Sequence, residues 1–143
     1  MLLVHLIFLC VANSIRSQMA ESLAQKIFGQ DAKIESAGSN PGSRVHPSAV
    51  AVMAEVGLDI SQNRPKSMDN VDLQQADLVI TLCSEEVCPV LPANVKKLHW
   101  PTPDPISQIA AFKSEIESFR NTRELLMQKL HELQRTLQSS SKP

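Results

Sequence analysis

A thiol and a guanidinium with five residues between them can attack and grip the same oxyanion, and Cys10-Val-Ala-Asn-Ser-Ile-Arg16-Ser17 places such a pair around one short loop. Arg16 offers a planar fork of donors matched to two oxygens of a phosphate-like dianion, a geometry that lysine does not reproduce. The backbone amides of Val11, Ala12, Asn13, Ser14, Ile15, Arg16 and Ser17 are the expected cradle for that anion. Cys10 lies at the foot of the loop, where the amides and Arg16 stabilise its thiolate and make it a nucleophile at neutral pH. Ser17 can donate its hydroxyl proton to the sulfur, and Asn13 or Ser14 can pin the loop through side-chain to backbone bonds. The same spacing also fits a buried cysteine, a capping serine and a surface arginine. What favours the anion site is the setting.

That setting is strand, loop and helix in order. Leu2 to Leu9 is a short apolar run with one histidine, the length of a buried strand. From Ser17 to Phe28, Met19, Ala20, Leu23, Ala24, Ile27 and Phe28 recur at helical spacing, and Gly29 is placed to stop the helix. The loop between them leaves the amides of its own turn and of the first helical turn without helical partners, which an anion would satisfy. Further along, Lys33 to Ala37 reads as a second strand ending in Gly38, followed by a turn-rich loop, Ser39 to Val45. His46-Pro47 opens a second helix that Gly57 closes. Asp59 to Asp72 is irregular, with a short helical turn over Val71 to Gln75. Ala76 to Cys83 is the clearest central strand, Lys97 to Trp100 a weaker fourth. An amphipathic pattern over Ile106 to Leu137 predicts one long helix.

Alternation of strands and helices predicts an α/β domain, an open parallel sheet covered on both faces, with ligands bound beyond the carboxyl ends of the strands. A chain of 143 residues suits one domain, here residues 1–138, with 139–143 a disordered tail. A net charge of −1 offers no basic field for nucleic acid. The apolar N-terminus lacks a basic flank and is too short to span a bilayer, so no membrane partner is expected and the expected location is cytoplasmic. Three cysteines suit a reducing compartment in which thiols react. No cofactor is expected.

Cys10 ends the first strand and Cys83 the third. If those strands are neighbours, the two sulfurs share one edge of the sheet, at a strand spacing of about 4.8 Å that a disulfide tolerates. Cys83 taken alone reads better as a small buried hydrophobe at a strand end. Cys88, beyond the acidic loop Ser84-Glu85-Glu86-Val87, has no packing reason to be there, and it turns anion binding towards thiol exchange. Asp104, held between Pro103 and Pro105, suits a proton donor on a stiff turn, though from local sequence it suits a helix cap as well. His46 and His99 have structural alternatives and receive no catalytic role.

F-L-C-V-A-N-S-I-R-S-Q-M-A-E at 8 to 21, E-S-A-G at 35 to 38, H-P-S-A-V at 46 to 50, M-A-E-V-G-L-D-I-S at 53 to 61, A-D-L-V-I-T-L-C at 76 to 83 and N-V-K-K-L-H-W-P-T-P-D-P at 94 to 105 together resemble the thioredoxin-coupled arsenate reductases, which share the low-molecular-weight tyrosine phosphatase fold. The resemblance covers the chain to about Leu130. It implies a four-stranded parallel sheet in the order 2-1-3-4. It also implies that Cys10 attacks arsenate held by the loop and Arg16 while Asp104 assists the departing oxygen. Cys83 then attacks Cys10, releasing arsenite, and Cys88 carries the disulfide to the surface for thioredoxin.

The chain departs from that pattern at several points. Ala12 stands where a glycine is usual, which would cost about 1 kcal/mol if the backbone there had positive φ. Ile15 replaces a common loop cysteine, leaving Cys83 and Cys88 as partners for Cys10. The Cys83 to Cys88 gap is shorter than usual, and a tight loop would strain the final disulfide. Some of these reductases hold a monovalent cation beside the loop. Asn13, Glu21 and Ser36 match that vestigial site, but Lys66 stands where a carboxylate is expected, and its ammonium is predicted to take the cation's place. Two other readings stay open. A tyrosine phosphatase would need Cys10, Arg16 and Asp104 with an aromatic wall, and a non-catalytic redox sensor would need only anion binding and the thiols.

Overall fold

The computed structural model describes residues 4–84 and 88–140. Four strands, β1 (Val4–Cys10), β2 (Ala32–Gly38), β3 (Leu78–Thr81) and β4 (Lys97–His99), form one parallel sheet in the order β2-β1-β3-β4. Three α-helices accompany them: α1 (Arg16–Phe28), α2 (Pro47–Ala54) and α3 (Glu115–Ser140). The expected order 2-1-3-4 is therefore the observed one. Leu2 and Leu3, part of the expected first strand, and residues 85–87 of the acidic loop lie outside the described residues.

β1 is central and buried on both faces, which is why its sequence is continuously apolar instead of alternating. Leu6 and Phe8 point into a core shared with α1, α2 and α3, including Met19, Leu23, Val52, Met53, Phe119 and Leu126. Ile7 and Leu9 point the other way, into a smaller cluster with Ala37, Val79 and Val95, packed by Met68, Val71 and Leu73 from two 3-10 turns. Burying such side chains contributes about 1.5–3 kcal/mol each, so both clusters fix the register that carries Cys10 to the carboxyl edge.

α1 starts at Arg16 and stops at Gly29, whose φ of 57° is a conformation that favours glycine. α2 starts at Pro47 with His46 as its cap, the His46 Nδ1 accepting from the Ser48 amide at 3.0 Å. The expected long helix from Ile106 is corrected to a later start, at Glu115. Asp104 accepts the Ile106 amide through Oδ1 at 3.0 Å and the Ser107 amide through its carbonyl at 3.0 Å, closing a turn. A 3-10 turn follows over Ile109–Ala111, Phe112 is extended, and Ser114 caps α3 by accepting the Glu117 amide at 3.2 Å. The apolar period thus runs on through residues whose backbone turns elsewhere. At the other end α3 continues to Ser140, into the segment expected to be disordered, and residues 141–143 lie outside the described ones.

α2 and α3 are also joined by charge. Arg120 forks Glu55 through Nε and Nη2, Arg123 reaches it at 2.7 Å, and Glu117 adds a further pair to Arg120. Hydrogen bonds from Arg120 first, and then Arg123, hold the Glu55 carboxyl down to about 2 from an ordinary 4.5. A depressed folded-state value stabilises the fold above the ordinary range and ceases to do so as pH falls through about 2. Glu55→Gln should therefore lower the urea midpoint at pH 7, modestly because the pair is partly exposed and screened. The difference from wild type should close between pH 4.5 and 2. A gap that persists unchanged at pH 2 would contradict this.

Candidate active site

The loop from Val11 to Ile15 is built by its own carbonyls. Those of Cys10, Val11, Ala12 and Ser14 accept from the amides of Ser39 (3.3 Å), Asn40 (2.8 Å), Gly42 (2.9 Å) and His46 (2.9 Å) in the turn-rich segment after β2. Because a peptide's C=O and N–H point in opposite directions, anchoring the carbonyls outward turns the following amides inward. One of them, on Asn13, donates to Cys10 Sγ at 3.2 Å. Gly38 makes the close approach possible, since a Cβ there would stand 2.4 Å from the Val11 carbonyl. Ile15, the N-cap of α1, provides no capping side chain and the first turn has no acid, so the positive end of the helix faces the loop.

Among the described residues that are not glycine, Asn13 alone has positive φ, at 53°. The strain expected at Ala12 therefore does not arise: the left-handed position is occupied by asparagine, which tolerates it. The Asn13 side chain is fully buried and organises the site. Its Nδ2 donates to Ser17 Oγ at 2.6 Å and to Ser36 Oγ at 3.0 Å, and its Oδ1 accepts from the Lys66 amide at 2.8 Å and from Gln18 at 3.0 Å. Ser17 Oγ in turn lies 2.9 Å from Cys10 Sγ. With its oxygen accepting from Asn13, Ser17 keeps its hydroxyl proton available to the sulfur, so the Asn13 amide and the Ser17 hydroxyl both face a 2 % exposed thiol.

Arg16 is the first residue of α1 and is buried, with Nη1 donating to the Thr102 carbonyl at 2.9 Å. Thr102 belongs to the segment that continues β4, where Trp100 and Thr102 donate to the carbonyls of Thr81 and Leu82. Two residues beyond Thr102, Asp104 stands in a turn closed by its own hydrogen bonds with Ile106 and Ser107. Asp104 caps Ile106 and is no cap of α3.

Cys83 follows β3 and Cys10 ends β1, and the two strands are hydrogen-bonded neighbours whose pairing continues from Leu82 to the Leu9 carbonyl at 2.9 Å. Both cysteines thus leave the same edge of the sheet. Cys83 is fully buried and is joined to Cys88 in a disulfide, while Cys10 is a free thiol. The Cα–Cα separation of 5.6 Å lies in the usual disulfide range. His99, in β4, lies beside the pair, its Nδ1 2.7 Å from Thr81 Oγ1.

Lys66 reaches Glu21 with its ammonium at 3.4 Å, but it is the backbone amide that meets Asn13. Sequence reasoning assigned no part to Gln18, Gly38 or Thr102. A buried glutamine in the first turn of an apolar helix was the available signal for Gln18; nothing local marks a threonine 86 residues from the arginine it holds.

The family model of the low molecular weight phosphotyrosine protein phosphatases matches residues 5–142. Arsenate reductase 1 of Staphylococcus haemolyticus is 40% identical over 132 residues, covering 91% of this chain and 94% of that protein. A solved arsenate reductase in the phosphate binding state superposes with a TM-score of 0.76 at 33% identity, covering 91% of this chain and 95% of that one. A thioredoxin-dependent arsenate reductase of Corynebacterium glutamicum superposes at 0.74 with 29% identity, over 98% of this chain and 64% of that longer one. The loop geometry and these likenesses agree: the chain belongs to the low molecular weight phosphotyrosine protein phosphatase family, beside its arsenate reductases.

Proposed function

We propose that residues 1–138 act as one domain that reduces arsenate to arsenite, with Cys10, Cys83 and Cys88 passing a disulfide outward to thioredoxin in the cytoplasm. The observation that carries this reading is the Cys83–Cys88 disulfide at the sheet edge beside a free Cys10, the oxidation state in which one relay cycle ends. Among the described residues no helix is long and apolar enough to cross a membrane.

Cys10 thiolate attacks arsenic in an arsenate held by the inward amides and by Arg16, and an oxygen leaves as water with a proton from Asp104. Cys83 thiolate then attacks the Cys10 sulfur. As the new S–S bond forms, the S–As electron pair passes to arsenic and arsenite departs as As(III). Cys88 attacks Cys83, which frees Cys10 and leaves the observed disulfide. A dithiol of thioredoxin takes up that oxidation. Arsenate-dependent NADPH oxidation in a mixture of this protein, thioredoxin and thioredoxin reductase tests the whole sequence. Steady turnover is expected, and its absence with intact thiols would overturn the reading.

The phosphatase alternative uses the same loop but has no use for the second and third thiols. Its aromatic wall would have to come from few residues, because the chain has no tyrosine and Trp100 is buried against Phe8 with ring centroids 6.3 Å apart. Slow hydrolysis of small aryl phosphates remains consistent with the shared oxyanion geometry. A redox sensor without turnover would leave the Arg16 and Asp104 arrangement without a task.

The residues present do not fit a monovalent cation. Asn13 Oδ1 accepts two donors, Ser36 Oγ accepts Asn13, and the Lys66 ammonium lies against Glu21, so the oxygens are engaged and the positive charge is supplied by the chain itself. Arsenate turnover should be equal in sodium and potassium buffers of the same ionic strength. A several-fold stimulation by potassium would contradict this arrangement.

A further inference from the structure

Three ligands of the kind that thiophilic metals select stand together at the edge of the sheet. The sulfurs of Cys83 and Cys88 and a ring nitrogen of His99 all lie within 4.8 Å of one another. We propose that reduction of the Cys83–Cys88 disulfide creates a site for one Zn²⁺, held by both thiolates and the His99 imidazole, and that the metal arrests the relay while it is bound.

Two cysteines with four residues between them match the chelate spacing of zinc sites, and ligand atoms of a tetrahedral zinc stand roughly 3.5–3.8 Å apart. The 5.6 Å Cα separation holds both sulfurs within that reach once the S–S bond opens. His99 is already oriented. Its Nδ1 lies 2.7 Å from Thr81 Oγ1, which also reaches the Leu98 carbonyl at 3.4 Å. A partner on one ring nitrogen orients the imidazole and leaves the other to face a metal, as such partners do in established zinc sites. The three residues grade from buried Cys83 to exposed His99, beside a cleft of about 320 Å³ lined by Thr81, Cys88, Pro89, Leu91, Lys97 and His99, so an ion can enter from solvent. The fourth position is open to water.

The oxidation states balance. A dithiol reductant gives two electrons and two protons to the disulfide and itself becomes a disulfide; Zn²⁺ then displaces both thiol protons with no further redox change. The oxidised pair, having no thiolate, offers the ion nothing to hold. Metal binding needs no arsenate chemistry and stands apart from the proposed function, whereas the arrest rests on it.

Co²⁺ is the probe, because thiolate coordination gives charge-transfer absorption and tetrahedral d–d bands. Added to the reduced, reductant-free protein under argon, one equivalent of Co²⁺ should produce both, and Zn²⁺ should displace it. The bands should be absent from the oxidised protein, retained in Cys10→Ser, and weakened at least about tenfold in affinity by His99→Ala. His99→Cys, which returns a ligand at that position, should recover tight binding if the alanine variant has merely lost one. Bands that vanish in Cys10→Ser, survive His99→Ala unchanged or appear in the oxidised protein would overturn the site. One equivalent of Zn²⁺ should also halt thioredoxin-coupled turnover, reversibly on chelation. Bands without inhibition would overturn the arrest alone, and a metal-free protein with no turnover would count against the proposed function and leave the site standing.

Discussion

Cys83→Ser should consume at most one equivalent of arsenate per protein and then stop, with steady turnover in the thioredoxin-coupled assay reduced by about 10³-fold or more. The serine hydroxyl fits the space of the thiol but cannot accept the oxidised state of Cys10, so the arsenic stays bound to sulfur or returns as arsenate. Cys10, its donors from Asn13 and Ser17, and Arg16 are all untouched by the change. Hydrolysis of a small aryl phosphate, which needs only those groups and an acid, should therefore remain within about twofold of wild type and serves as the internal control. Cys83 is fully buried, and a hydroxyl left there without a partner would cost about 1–3 kcal/mol. Cys88→Ser, at a partly exposed position, provides the companion measurement. It should accumulate a Cys10–Cys83 disulfide, visible by mass as the loss of two hydrogens with no thiol left to alkylate. Undiminished turnover in either variant would remove the relay and leave ester hydrolysis as the chemistry of the loop.

Much of this site was legible because it is local. β1, the loop and α1 are contiguous, their apolar runs are bounded by Cys10 and Gly29, and the unpaired amides follow from chain direction alone. The strand order came from resemblance, since nothing in the period of a strand names its neighbour. What escaped was long range or a matter of single dihedrals. The tie from Arg16 to Thr102 spans 86 residues. A missing glycine at Ala12 matters only if the backbone there has positive φ, and the chain places that conformation at Asn13, whose side chain then orders Ser17, Ser36, Gln18 and Lys66. Lys66 was expected to meet Asn13 by charge and does so by its amide, while the charge goes to Glu21. Ile109 and Phe112 keep the apolar period of the long helix, whereas the Asp104 turn takes the backbone out of helical geometry.

Arg16→Lys should lower kcat/KM for arsenate by about 10²–10³-fold, near 3–4 kcal/mol, although the charge is kept. In the wild-type protein one end of the guanidinium is fixed on the Thr102 carbonyl at 2.9 Å, and a planar group anchored at one nitrogen is pre-aimed with the others. A lysine has one nitrogen for both duties. If it keeps the carbonyl it releases the oxyanion, and if it turns to the oxyanion it leaves a carbonyl of the 5 % exposed Thr102 without its donor. Both outcomes raise KM, and the loss of a fixed donor as charge builds on the arsenate oxygens lowers kcat as well. The aryl phosphate assay should fall in parallel, since it uses the same fork. Reduction of the Cys83–Cys88 disulfide by thioredoxin, followed in protein prepared oxidised, should keep its wild-type rate because that step happens after the anion has gone. Should the lysine variant retain arsenate turnover to within about fivefold, Arg16 would be a tie between α1 and the Thr102 segment only, and the amides of the loop would carry the anion alone.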